Sequence, residues 1–137
     1  MKKILVAFCV LIIMGAGVAF AQVLAVDIDI KPWSDPNSIN LKSHGVISVA
    51  ILTTDAFDAT TVDPLSAAFG PASAVEAHGM GHIEDVDDDG DLDLLLHFNK
   101  QEADIACGDI TAVLTGETFD GVPIEGFDAV NIVRCIS

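Results

Sequence analysis

Apolar and polar residues alternate along much of this chain with a period of two. VLAVDIDI, residues 23–30, sets Val26, Ile28 and Ile30 against Asp27 and Asp29, the pattern of a strand with one wet face. GVISVAIL, 45–52, is a near-continuous β-branched run, which predicts a central strand buried on both sides. TTDAFDATTVDPLSAAFG, 53–70, predicts a short helical turn capped by Thr54 or Asp55, then a short strand near 66–69. PASAVEAHGMGHIE, 71–84, reads as loop and strand. LDLLLHF, 92–98, is a strand with Leu92, Leu94, Leu96 and Phe98 on one face. DITAVLTGETF, 109–119, is another. DGVPIEG, 120–126, is a turn with a short strand at 122–124, and DAVNIVRCI, 128–136, closes the domain. About seven short strands separated by turn residues predict an all-β, antiparallel, immunoglobulin-like sandwich.

The first residues break this pattern. Lys2 and Lys3 precede an apolar run from Ile4 to Met14, and Ala19-Phe20-Ala21 offers a small-residue cleavage site before Gln22. This is the layout of a secretory signal peptide over 1–21, leaving one domain over 22–137. The rival reading is an uncleaved anchor, since apolar residues continue through Val26. After cleavage four basic residues remain, Lys31, Lys42, Lys100 and Arg134, against 21 acidic ones, a net charge of −17. Such a surface repels nucleic acid and anionic membrane and attracts cations. A hydrophobic fraction of 51% excludes a disordered acidic tail.

Cys107 and Cys135 remain after cleavage, and export predicts that they form a disulfide. Closing a loop of that length stabilises by roughly 3–4 kcal/mol in the chain-entropy picture. If the strand beginning near 109 and the last strand are antiparallel neighbours, the two cysteine ends lie together.

The densest charge sits in EDVDDDGDLDLLLHF, 84–98, where six aspartates occupy the nine positions from Asp85 to Asp93. On a calcium-loop template Asp85, Asp87 and Asp89 fall at alternate positions, and Gly90 falls at the sharp turn that needs a positive φ. Asp91 then offers its backbone carbonyl and Asp93 a further carboxylate. Alternate carboxylates converge on a hard cation that takes six to eight oxygens at about 2.3–2.6 Å. Asp88 and Glu84 are second choices as ligands. An EF-hand would add a bidentate acid where this chain has Leu96, so the loop runs into a strand and not a helix. One loop with a partial ligand set predicts a calcium affinity of roughly 10⁻⁴–10⁻³ M.

The DxDxDGxxD run leading into a strand resembles the calcium loops of FG-GAP and VCBS repeats and the first half of a dockerin loop. A wider resemblance covers KPWSDPNSINLKSHGVISVAIL, FGPASA, GHIEDVDDDGDLDLLLHF and IACGDITAVLTGETFDGVPIEGFDAV. Together these look like a module of secreted bacterial and archaeal proteins, one without an established activity. The chain departs from it at Trp33 and Asp88, where glycine is usual. The resemblance implies a secreted calcium-binding β domain, often appended to larger exported or surface proteins.

Other chemistry-bearing residues read more plainly. His78-Gly-Met-Gly-His82 could suit copper or zinc, but in an extended chain the two imidazoles lie about 13 Å apart. Only a turn at the glycines brings them together, so His82 is expected to pack beside the aspartate loop, donating to a carboxylate. His44 and His97 read as isolated. Ser43-His44 makes no triad, because sequence neighbours rarely face each other in the required geometry. Asp27 and Asp29 read as a solvated strand face before a second cation site. No separable carboxylate pair suits glycoside cleavage. The expected function is a non-enzymatic, calcium-stabilised module with a structural, adhesive or cell-surface role. The alternatives are a subunit that self-assembles through an edge strand such as 23–30, and a carbohydrate-binding module in which Trp33 stacks on a glycan.

Overall fold

A computed structural model describes residues 22–135. The expected signal peptide, 1–21, lies outside the described residues. The described residues form eleven short strands and little helix. They are β1 (Leu24–Ala25), β2 (Ile28–Ile30), β3 (Ser38–Asn40), β4 (Val46–Ile51), β5 (Ala68–Phe69) and β6 (Ala74–Val75). β7 (His82–Glu84), β8 (Asp93–Asn99), β9 (Thr111–Glu117), β10 (Pro123–Ala129) and β11 (Asn131–Val133) follow, with one helical turn, α1 (Lys100–Ala103), after β8.

One sheet has the order β1-β10-β9-β5-β6 and the other β2-β4-β8-β7, with β11 and β3 forming a separate pair. The long pairings, β9 with β10 and β4 with β8, are antiparallel. Two short ones, β1 with β10 and β3 with β11, are parallel. The core lies between the two larger sheets. Ile28, Ile47, Val49, Ile51, Leu94, Leu96 and Phe98 come from one, and Phe69, Ala74, Ala112, Leu114 and Ile124 from the other. Phe69 and Phe98 stack across the gap with ring centroids 5.2 Å apart. This is the all-β sandwich the alternation predicts.

The pattern was right about faces and wrong about several boundaries. Leu94, Leu96 and Phe98 share the core face, but Leu92 lies before β8 and is exposed. The run 23–30 is two strands, not one. β1 joins the first sheet, the chain crosses at Val26 and Asp27, and β2 joins the second. Asp128 of β10 accepts from the Ile30 N–H at 3.0 Å, so a side chain covers part of β2's outer edge. Asp29 is pushed above the usual carboxylate range, first by burial and then by the charge of Asp128. The helical turn expected at Thr54 or Asp55 lies a few residues later. Two 3₁₀ turns, Ala59–Thr61 and Pro64–Ser66, are capped by the side chains of Asp58 and Asp63. The turn-like stretch from 120 hides β10, a full seven-residue strand.

Cys107 and Cys135 are bonded, with Cα atoms 5.5 Å apart, which fits a non-cytoplasmic setting. The geometry differs from the expectation. β9 pairs with β10, and β11 pairs with β3, so the bridged segments are not neighbouring strands. They meet because β10 returns the chain to the start of β9, where the Val130 N–H donates to the Ile110 carbonyl at 2.9 Å. Among the described residues no helix is long and apolar enough to cross a membrane.

Candidate metal centre

The aspartate loop connects β7 to β8 over the outer face of the second sheet. It is anchored by two residues that are not on its rim. Val86 turns inward and packs on Ala50 and Leu95, a small second core on the face away from the main one. Asp93, the first residue of β8, is fully buried. Its carboxylate accepts from the Val86 N–H at 2.9 Å and from the Thr53 N–H at 2.8 Å. A buried carboxylate is tolerable only when hydrogen-bonded in this way, and here the bonds tie the loop to the end of β4.

The rim is built from backbone donors. Asp85 accepts from Gly90 at 2.9 Å and from Asp89 at 3.2 Å, and Asp89 accepts from Asp91 at 2.9 Å. Gly90 takes φ +93, the left-handed turn its place on the template requires. Asp88 takes φ +58, so this residue carries backbone strain. Trp33, also at φ +72, reaches across from the crossing after β2, and its indole N–H donates to the Val86 carbonyl at 3.1 Å.

This wrapping brings four of the expected ligands together. One oxygen each from Asp85, Asp87, Asp89 and Asp93 lies within 4.8 Å of the others, a group that can hold a metal ion. The Asp91 carboxylate is outside it. The second choices, Glu84 and Asp88, are outside it too. The electrostatics are uneven. The Gly90 amide, against the opposing pull of desolvation, holds Asp85 below the usual carboxylate range. Asp87 is pushed up to about 6 by lost hydration, by a carboxyl–carboxyl hydrogen bond with Asp89, and by the charges of Asp93 and Asp89. Asp87 itself is exposed, so the crowding of like charges is the durable part of that shift. A bound cation would relieve it.

A second group was missed in the sequence. One ring nitrogen each from His78, His82 and His97 also lies within 4.8 Å of the others. The extended-chain distance that separated His78 from His82 fails for a definite reason. Glu76 bridges to Phe98 of β8, and an unbroken antiparallel ladder from there would set Gly79 opposite Leu95. The structure sets His82 there, so three residues are looped out between the two pairings. Gly79 turns at φ +71, and Gly81 presses so close to β8 that a Cβ would lie 2.5 Å from Leu94 Cδ1. His82 therefore meets His97 edge-on, with centroids 5.6 Å apart, and His78 lies 5.3 Å from the same ring. His97 is not isolated, and His82 packs against imidazole instead of donating to a carboxylate. The HxxxH spacing was the available signal, but the third histidine is fifteen residues on from His82.

Compared with family models, curated proteins and solved structures, the chain matches none.

Proposed function

We propose that this is a secreted, non-enzymatic calcium-binding β module with a structural, adhesive or surface role. The observation that supports it is the meeting of Asp85, Asp87, Asp89 and Asp93 around one turn, with only oxygen donors. Hard carboxylate oxygens on a flexible turn suit calcium, whereas magnesium tolerates an all-protein cage poorly. Calcium would be held by these four carboxylates, with the Asp91 carbonyl as a further donor. Its charge would offset the repulsion among them and fasten the β7–β8 connection over Ala50 and Leu95. The disulfide and the amino-terminal pattern favour export. Thermal melts in chelator and in millimolar calcium test this reading. Calcium should raise Tm by several degrees in the wild type and by little in the Asp87→Ala/Asp89→Ala double variant. An unchanged wild-type Tm would count decisively against calcium.

Carbohydrate binding with structural calcium is the second reading, favoured by Trp33. The residue is 71% exposed, yet its indole is tied to the aspartate loop through Val86. A glycan array on wild type and Trp33→Ala tests it. Glycan signal lost in the variant supports this reading, and no signal in the wild type removes it.

A further inference from the structure

We infer that His78, His82 and His97 form a second metal site, one for a divalent transition ion such as Zn²⁺ or Cu²⁺, distinct from the aspartate loop. The inference does not depend on the calcium reading.

The donor chemistry differs from that of the aspartates. Three imidazoles suit zinc, copper and nickel and offer nothing to calcium. Three histidines also leave a fourth position open on a tetrahedral ion. Nitrogens bound to one ion at about 2.0–2.1 Å lie roughly 3.4 Å apart. The three nitrogens already lie within 4.8 Å of one another, and the exposed His78 and His82 rings have space to turn toward a shared ion.

Two further observations point to a ligand. The first is the His97 Nδ1 atom, which is buried and has no hydrogen-bond partner. A buried ring nitrogen left unpaired is costly. It lies 3.9 Å from Glu76 Oε2, too far for a hydrogen bond. An ion resolves this either by binding Nδ1 or by drawing Nε2 and leaving the Nδ1 proton to Glu76. The latter is the carboxylate–histidine pairing that metal-bound imidazoles commonly show. The second is the construction of the loop around Glu76. This buried carboxylate accepts from the backbone N–H groups of His78, Met80 and His97. One acid thus fixes the backbone at two of the three ligands, and the looped-out glycines deliver the third. Burial, followed by the charge of His78, also holds the His97 imidazole below its ordinary range.

The two sites sit apart on one surface. Asp93 and His97 share a face of β8, with Leu95 between them, about 13 Å apart along the strand. On the facing strand His82 opens β7 and Asp85 follows its end.

The test is a metal titration of the protein in millimolar calcium, with Zn²⁺ followed by competition against a chromophoric chelator and Cu²⁺ by electron paramagnetic resonance. The expected result is one equivalent bound at micromolar affinity or tighter, with nitrogen hyperfine structure on copper. His78→Ala and His82→Ala should each weaken binding at least about tenfold. His44→Ala and the Asp87→Ala/Asp89→Ala variant should leave it unchanged. Both substituted histidines are exposed, and an unaltered melt confirms that each histidine variant is folded. No stoichiometric binding overturns the inference. So does binding insensitive to both histidine variants, or binding lost with the aspartates instead.

Discussion

The aspartate loop and the histidine loop are built alike and could not look less alike in the sequence. Each is an irregular stretch on the outer face of the second sheet, and each is organised by one buried acid. Asp93 gathers the N–H groups of Val86 and Thr53, and Glu76 gathers those of His78, Met80 and His97. The difference is what the rim carries. Around Asp93 stand further carboxylates, which repel one another, so that loop is under electrostatic load. Around Glu76 stand imidazoles, and burial holds the one at His97 below its ordinary range, which favours its uncharged form, so that loop carries less. In a protein this acidic a cation would offset the repulsion in the first loop, whereas in the second it would answer an unpaired ring nitrogen.

The sharpest way to break the comparison is to remove the two organising acids. Asp93→Ala leaves two N–H groups unpaired beneath the loop, each costing about 1–3 kcal/mol. We expect a loss of about 2–4 kcal/mol in chelator, and more in millimolar calcium, because the ion loses a ligand as well. Glu76→Ala should cost a comparable 2–4 kcal/mol for its three N–H groups. That loss should be the same with and without calcium. Urea melts of both variants in the two buffers give the four values needed. If Glu76→Ala is calcium-dependent, or Asp93→Ala is not, the two loops are not separate units.

A smaller effect sharpens the electrostatic half. The Asp87 carboxyl is raised to about 6 in the folded protein from 3.8. The folded state therefore holds its proton more tightly than the unfolded chain does. Stability from this group is present below the unfolded value and is lost as pH rises through about 6. Asp85 works the other way, since its lowered value supports stability that is lost as pH falls. Asp87→Asn isolates the first contribution. In chelator, the wild type should lose stability relative to Asp87→Asn as pH rises from about 4 to about 6. Calcium should reverse the order at pH 7, where the carboxylate becomes a ligand. Denaturation curves of the pair across that range check the sign. A constant gap between them would show that Asp87 feels no crowding.

The loops also differ in how much of them the sequence reveals. The aspartate loop is local: its rim residues lie within nine positions and its turn is marked by Gly90, so spacing alone places them. Even so, nothing in the spacing shows that Asp93 is buried or that Val86 is the anchor, because both depend on packing against Ala50, Leu95 and Thr53. The histidine loop is non-local. Its geometry comes from a ladder that breaks after Glu76 and resumes three residues out of register, and from His97 on another strand. Period-two reasoning assumes an unbroken strand, so it set His78 and His82 about 13 Å apart. The same assumption merged β1 with β2, since the apolar alternation runs on through the crossing at Val26 and Asp27 and does not record a change of sheet. β10 was hidden for the opposite reason. Pro123 and Gly126 read as turn residues, but Pro123 only begins the strand, and Gly126 lies where a Cβ would meet the Val26 carbonyl at 2.8 Å. The glycine is there for close packing between sheets.

The smallest effect concerns the clasp over the aspartate loop. Trp33 holds two opposed contributions. Its indole bond to the Val86 carbonyl favours the folded loop by about 1 kcal/mol. Its φ of +72 opposes folding by about the same amount, since a residue with a Cβ is strained there. Trp33→Ala removes the bond and keeps the strain, so it should destabilise by about 1 kcal/mol. Trp33→Gly removes both, so it should fall close to the wild type and above the alanine variant. Glycine at this place is then the relaxed choice, and tryptophan a clasp obtained at the cost of strain. Melts of the three proteins in calcium check the order. If alanine and glycine variants melt together, the backbone at Trp33 stores no strain, and the indole bond alone describes the clasp.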